Sequence, residues 1–153
     1  MPAKISRLAE FLPYLLSVTS NAVSDCIGGE YRARFDLKIP EWRIMAVLGD
    51  AGALTQRALV VATLMDKVAV NRACKVLEQR GLIARSPNAN DGRSHHLELT
   101  GEGRAIHEEI MPLARDMCDE VFADLSKQEK QVFRNLLDRI RAQALALGAI
   151  QVV

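Results

Sequence analysis

The sequence predicts a mainly α-helical chain that carries one small β-hairpin, and three observations lead there. Apolar residues recur at three- and four-residue steps through several long segments. Residues that start and stop helices bracket those segments. Between Leu82 and Leu99 the apolar period shortens to two and turn formers cluster.

The first helix spans about residues 5–35, where Leu8, Phe11, Leu12, Leu15, Thr19, Ala22, Val23 and Cys26 share helical spacing. Gly28-Gly29 lies inside it, and each glycine costs up to about 1 kcal/mol relative to alanine, so a bend or break is expected there. A short helix opens at Leu54-Thr55-Gln56, with Thr55 as N-cap and Ala58, Leu59 and Ala62 inward; Leu64-Met65 then links it to the next. That next helix starts at Asp66, whose carboxylate can accept orphan amide protons, and ends before Gly81, a C-cap residue. Val70, Ala73, Cys74 and Leu77 form its apolar stripe, leaving Lys67, Asn71, Arg72 and Lys75 on the other side. Leu82-Ile83 begins a two-stranded hairpin, with Pro87-Asn88 and Asn90-Asp91-Gly92 as turn formers and Leu97-Glu98-Leu99 alternating in and out.

Thr100 starts a long acidic helix running to about Asp124, which Pro112 should bend by removing one backbone donor. Ser126 and Glu129 form a capping box that fixes the start of the last helix, where Val132, Phe133, Leu136, Leu137, Ile140, Ala144 and Leu147 recur. Two helices joined by the short turn at Leu64-Met65, followed by a hairpin, make a winged helix-turn-helix over about residues 40–99. The terminal helices, about 5–35 and 126–147, flank it, and residues 100–124 connect.

Charge is segregated along the chain. From Asp66 to His96 six basic residues face three acidic ones, while Thr100 to Asp124 holds seven acids and two bases, in a chain of formal charge +1. Clustered cations are what a polyphosphate partner rewards, through counterion release. At 153 residues and 49% hydrophobic content, the chain is expected to be one domain. No signal peptide or bilayer-length apolar run is evident, and three scattered cysteines fit a reducing cytoplasm. Catalysis is not expected: His95 and His96 are adjacent and point to opposite faces of a strand, and no zinc spacing, glycine-rich phosphate loop or nucleophile motif is present. No cofactor or metal follows from the sequence.

Met65-Asp66-Lys67, Val70-Asn71-Arg72, Leu77-Glu78, Gly81-Leu82-Ile83-Ala84-Arg85, Asp91-Gly92-Arg93 and Leu99-Thr100-Gly101-Glu102-Gly103 together resemble the MarR family of bacterial transcriptional regulators in order and spacing. Glu41-Trp42-Arg43 with Leu48-Gly49-Asp50 resembles the family's second helix, and Leu125-Ser126-Lys127-Gln128-Glu129 the start of its last. Two positions depart from the pattern: Leu64 stands where many members place Gly, and Asn71 where Ser or Thr is commoner.

The resemblance implies a homodimer interleaved through both terminal helices. Their apolar faces exceed what a small winged-helix module can cover, although packing within one chain is the competing arrangement. A two-fold dimer places its recognition helices in successive major grooves, with half-sites centred about 10 bp apart, so a pseudo-palindromic operator in double-stranded DNA is expected.

Lys67, Asn71, Arg72 and Lys75 are the expected readers on the recognition helix, Asn suiting adenine and Arg suiting guanine or phosphate, with Ala69 against a thymine methyl. Thr55, Gln56 and Arg57 open the preceding helix, where free amides and a cation suit a phosphate. Arg93 is the wing-tip candidate for the minor groove and Asp91 its orienting partner, unless the two form only a turn-bracing ion pair. Arg85 and His95 complete the expected DNA contacts.

The resemblance also implies a small-molecule effector, often a phenolic or aromatic acid, held by Ser17, Asn21, Trp42, Arg43 and His107. Arg43 would pair with its carboxylate and Trp42 would supply a ring face. For Trp42 a place in the core competes with this role, and for His107 a surface position. Cysteine-based redox sensing is the alternative within the family, but this chain has no Cys near the start of its first helix. A non-DNA-binding adaptor of the same fold would call for an acidic recognition face, opposite to the basic one counted above.

Overall fold

The computed structural model describes residues 4–88 and 91–151. The chain divides into two compact units, Met1–Met117 and Cys118–Val153. In order, the elements are α1 (Lys4–Glu10), α2 (Leu12–Phe35), α3 (Ile39–Ala51), β1 (Leu54–Thr55), α4 (Gln56–Thr63), α5 (Lys67–Gln79), β2 (Ile83–Asn88), β3 (Asp91–Leu99), α6 (Gly101–Val121) and α7 (Lys127–Gln151). The division falls inside α6.

The N-terminal helix breaks, but not at the glycines. Phe11 leaves the helical region (φ −78°, ψ 108°) and α2 restarts at Leu12 with Pro13 in its first turn. Proline has no N–H to bond the Ala9 carbonyl one turn earlier and its ring clashes with that carbonyl, so the preceding helix cannot run on through it, whereas the first turn of a new helix accepts it. Gly28-Gly29, where a break was expected, lies inside α2. Gly28 is buried, and a Cβ there would stand 2.9 Å from the Tyr31 hydroxyl. Its role is close packing.

The hairpin gains a third strand. Among the described residues the sheet order is β1-β3-β2, all antiparallel, with Leu54 opposite Leu97 and Thr55 opposite His96. Thr55 therefore serves both as a strand residue and as the N-cap of α4, its Oγ1 accepting the Ala58 amide at 3.1 Å. Pro87 and Asn88 are not in the turn: they belong to β2, with Pro87 opposite His95 and a register irregularity between them. Because β2 is an edge strand, the missing proline donor interrupts no ladder on its outer side. Asn90 lies outside the described residues.

Both ends of α5 are capped. The Asp66 carboxylate accepts the Val68 amide at 2.6 Å. At the other end the Leu82 amide donates to the Leu77 carbonyl at 2.9 Å and the Gly81 amide to Glu78 at 3.0 Å, with Gly81 at φ +71°. This is the Schellman pattern, and it needs the left-handed backbone that glycine adopts without strain. Arg80, beside it, donates to the Phe35 carbonyl at 2.7 Å and the Asp36 carbonyl at 2.9 Å, closing the C-terminal end of α2.

The turn between α4 and α5 places Leu64 in the left-handed region (φ 53°) with its side chain 54% exposed. For a non-glycine residue this costs about 1–2 kcal/mol, and little packing offsets it here. Leu64→Gly is expected to stabilise the fold by about 0.5–1 kcal/mol after the entropic cost of glycine, read as a higher urea midpoint at unchanged slope. A lower midpoint would mean that the Leu64 side chain contributes more than the strain removes.

The core gathers Ile44 and Met45 from α3, Leu59 from α4, Val70 and Leu77 from α5, Leu97 from β3 and Ile110 from α6, all nearly inaccessible to solvent. Each contributes about 1.5–3 kcal/mol by burial. Thr100 ties the sheet to α6. Its hydroxyl donates to the Gly81 carbonyl at 2.7 Å and accepts the Gly103 amide at 3.0 Å, while its own amide donates to Leu82. Gly103 is buried so close to the Leu82 carbonyl that a Cβ would run into it. Pro112 lies within α6, which is one helical element across it.

In the second unit, Ser126 and Glu129 form the expected capping box: the Glu129 amide donates to Ser126 Oγ at 3.1 Å and the Ser126 amide to the Glu129 carboxylate at 3.0 Å. These bonds hold the Glu129 carboxyl below its ordinary pKa. Phe122 and Phe133 stack at 6.2 Å, and Val132, Phe133, Leu136, Ile140 and Leu147 of α7 are exposed.

Candidate nucleic-acid interface

The exposed face of α5 follows from its buried one. With Val70, Ala73, Cys74 and Leu77 against the core, Lys67, Asn71, Arg72 and Lys75 are exposed, as the spacing predicts. Ala69 sits at the edge of this face: it is half-buried and, with Arg72, Lys38, Pro40 and Glu41, lines a small cavity of about 170 Å³ near the start of α3. Val68 takes the central place instead, 62% exposed and one turn before Asn71 and Arg72. It is the apolar group on this face suited to a thymine methyl. A helical wheel drawn from the buried stripe sets Val68 opposite it.

Beside α5 a groove of about 470 Å³ is lined by Thr55, Gln56 and Arg57 from the start of α4 and by Arg85, Asn88, Arg93, Ser94 and His95 from the wing. Six residues expected to meet DNA, drawn from segments nearly thirty or more positions apart, thus share one concave polar surface. Arg57, Arg93 and His95 are exposed around it. The amides opening α4 and the guanidinium groups of Arg57 and Arg93 make a surface suited to phosphate. The backbone of Asp91 starts β3, but its side chain lies outside the described residues, so its pairing with Arg93 is not placed.

Two of the six cations of the basic segment have partners that fix their place. Arg80 caps α2, as described above. Arg85 forms a two-pronged ion pair with Glu78 (2.9 and 3.1 Å) and reaches Gln56 Oε1 at 3.4 Å. The pairing holds the Glu78 carboxyl below its ordinary pKa and raises that of Arg85. Gln56 Nε2 in turn donates to Asn71 Oδ1 at 3.2 Å. Lys67, Arg72, Lys75 and Arg93 are exposed, as Arg80 and Arg85 also are.

The residues expected to hold an effector are less unified. Trp42 is a core residue, 8% exposed, with the Tyr31 ring at 5.5 Å and the His107 ring at 5.7 Å. His107 is half-buried, seated against Gly49 where a Cβ would collide with its ring, and burial lowers its pKa. Burial also raises the pKa of Tyr31. Arg43 is exposed and donates to Ser24 Oγ at 3.3 Å, while Ser17 and Asn21 are exposed further up α2. Cys74 is inaccessible and its thiol is pushed up to about 11 by burial; Cys26 and Cys118 are exposed. Among the described residues no helix is long and apolar enough to cross a membrane, and no cluster of three His, Cys, Asp or Glu could hold a metal ion.

Two helices joined by a tight turn, a basic outer face on the second, and a hydrogen-bonded wing with its own polar groove define a winged helix-turn-helix protein. Residues 35–94 match the model of the MarR family. The chain is 28% identical over 105 residues to the transcriptional regulator HosA of Escherichia coli, covering 69% of this chain and 78% of the relative. Among solved structures it is similar to a mutant of E. coli MarR complexed with operator DNA, at 25% identity and a TM-score of 0.75 over 84% of this chain and 92% of that one. It is also similar to Bordetella bronchiseptica BpsR, solved to explain regulation of its DNA binding by 6-hydroxynicotinic acid, at 26% identity and a TM-score of 0.75 over 85% and 98%.

Proposed function

We propose that this chain is a transcriptional regulator of the MarR family, a homodimeric repressor that grips a pseudo-palindromic operator through α5 and the wing and releases it when a small aromatic acid binds. The observation that carries the DNA-binding half is the groove uniting Thr55, Gln56, Arg57, Arg93 and His95 beside the exposed cations of α5. The operator complex of E. coli MarR supports it. Leu8, Phe11, Leu12, Leu15 and Leu16 at the start of the chain and Val132, Phe133, Leu136, Ile140 and Leu147 near its end are exposed apolar residues, as dimerisation faces require.

Arg93→Ala is expected to weaken binding to an operator selected in vitro about tenfold and to lower the salt slope by about one. Fluorescence anisotropy over a salt series checks this, and unchanged affinity at physiological salt removes Arg93 from the interface. For the effector, the BpsR likeness supports an aromatic acid. Exposed Arg43 suits its carboxylate, with Ser17 and Asn21 as polar neighbours on the same face of the chain's first long helix, whereas Trp42 cannot offer a ring face without leaving the core. Calorimetry with a panel of aromatic acids including 6-hydroxynicotinic acid tests the pairing: a ligand that binds wild type and Arg43→Ala equally excludes it. The burial and raised pKa of Cys74 weigh against thiol sensing through that residue.

A further inference from the structure

The four side chains that join α5, β2 and α4 have a direction built into them. Glu78 is acceptor-only and fixes the Arg85 guanidinium through two bonds. Arginine can only donate, so the Gln56 amide that it meets must present Oε1 to it. Nε2 of the same amide then points to Asn71, which must answer with its own oxygen. At each step the donor or acceptor character of one group dictates the orientation of the next, which settles amide orientations that heavy-atom positions alone leave open. Asn71 is exposed on the recognition helix, and its Oδ1 is turned inward to Gln56.

We propose that Glu78, Arg85 and Gln56 form a polarity relay that holds the Asn71 carboxamide with its N–H groups outward, so that the recognition helix favours guanine over adenine at the base pair Asn71 meets. Guanine presents N7 and O6, both acceptors, in the major groove. Adenine presents N7 and the N6 donor, whose partner would be the asparagine oxygen now engaged elsewhere. Arg85 in this reading is a positioning residue, held by Glu78 away from the phosphates.

The inference rests on the DNA-binding reading above and is tested on the full-length protein by selection from randomised duplexes. Wild type is expected to enrich guanine at one symmetric pair of positions. Gln56→Glu replaces the donor facing Asn71 by a carboxylate oxygen, so the Asn71 amide must turn its nitrogen inward and its oxygen outward. Preference at that pair is expected to move from guanine toward adenine or cytosine, which offer donors, by about fivefold or more, whatever the added charge does to overall affinity. Arg85→Met, with Glu78→Gln as a second way to break the relay, is expected to blur the same pair while leaving the salt slope within a few tenths of wild type. A drop of about one in that slope with unaltered base preference makes Arg85 an ordinary phosphate contact and overturns the proposal. So does a guanine preference that survives Gln56→Glu. Wild type that selects no sequence at all refutes the DNA-binding reading itself, a different failure from these.

Discussion

Gly103→Ala is expected to destabilise the fold by about 2–3 kcal/mol, whereas Gly101→Ala, two residues earlier, is expected to change it by less than about 0.5 kcal/mol. The two glycines share the Leu99-Thr100-Gly101-Glu102-Gly103 motif, yet only Gly103 is pressed against a backbone group, the Leu82 carbonyl; a Cβ on Gly101 would meet nothing within 4 Å. Main chain cannot rotate aside as a side chain can, so an added methyl must push the first turn of α6 away from the strand start at Ile83. The Thr100 hydroxyl, which bonds Gly81 and Gly103 at once, would lose one partner in that displacement. Urea unfolding of both variants checks the contrast. Equal midpoints would show that α6 shifts at no cost.

A double substitution on α7, Leu136→Glu with Ile140→Glu, is expected to give a monomer in analytical ultracentrifugation and to lower operator affinity about a hundredfold or more. The side chains are 43% and 52% exposed, so the charges disturb little within the chain, while in a dimer they would be desolvated as like charges. One winged-helix module reads half an operator, and the advantage of two linked modules is commonly 10²–10⁴. A variant that stays dimeric with full affinity moves the dimer contact away from this face of α7.

How far the sequence could be read depended on how local each cause was. The ends of α5, the start of α4, the start of α6 and the capping box at Ser126 and Glu129 lie within a few residues of the groups that create them, and all could be assigned from residue type and spacing. β1 could not: a two-residue strand has no period, and Thr55 already had a reason to be where it is. The helix cost of glycine points to Gly28-Gly29 for the N-terminal break, but Pro13 acts through hard sterics and decides the position. Pro87 reads as a turn former until the sheet order shows it on an edge.

For the interface, exposure of Lys67, Asn71, Arg72 and Lys75 was legible from the apolar stripe alone. The destinations of Arg80 and Arg85 were not, because the carbonyls that Arg80 meets are more than forty positions away and the Gln56 oxygen near Arg85 is twenty-nine. Counting charge along a segment treats every cation as available, whereas Arg80 and Arg85 have internal partners. The effector residues were the least legible, since Trp42, Arg43 and His107 are close in space but face three different surroundings.

The bonds from Arg80 to the Phe35 and Asp36 carbonyls set a practical limit on how this chain can be divided. A fragment cut at residue 40 to isolate the reading head would strip both acceptors from a guanidinium at the end of the recognition helix, and would discard Leu37 and Tyr31, which are 0% and 3% exposed. An autonomous reading head must begin upstream of Tyr31. Grafts that exchange recognition specificity between relatives should therefore carry the end of α2 with α5 as a single cassette.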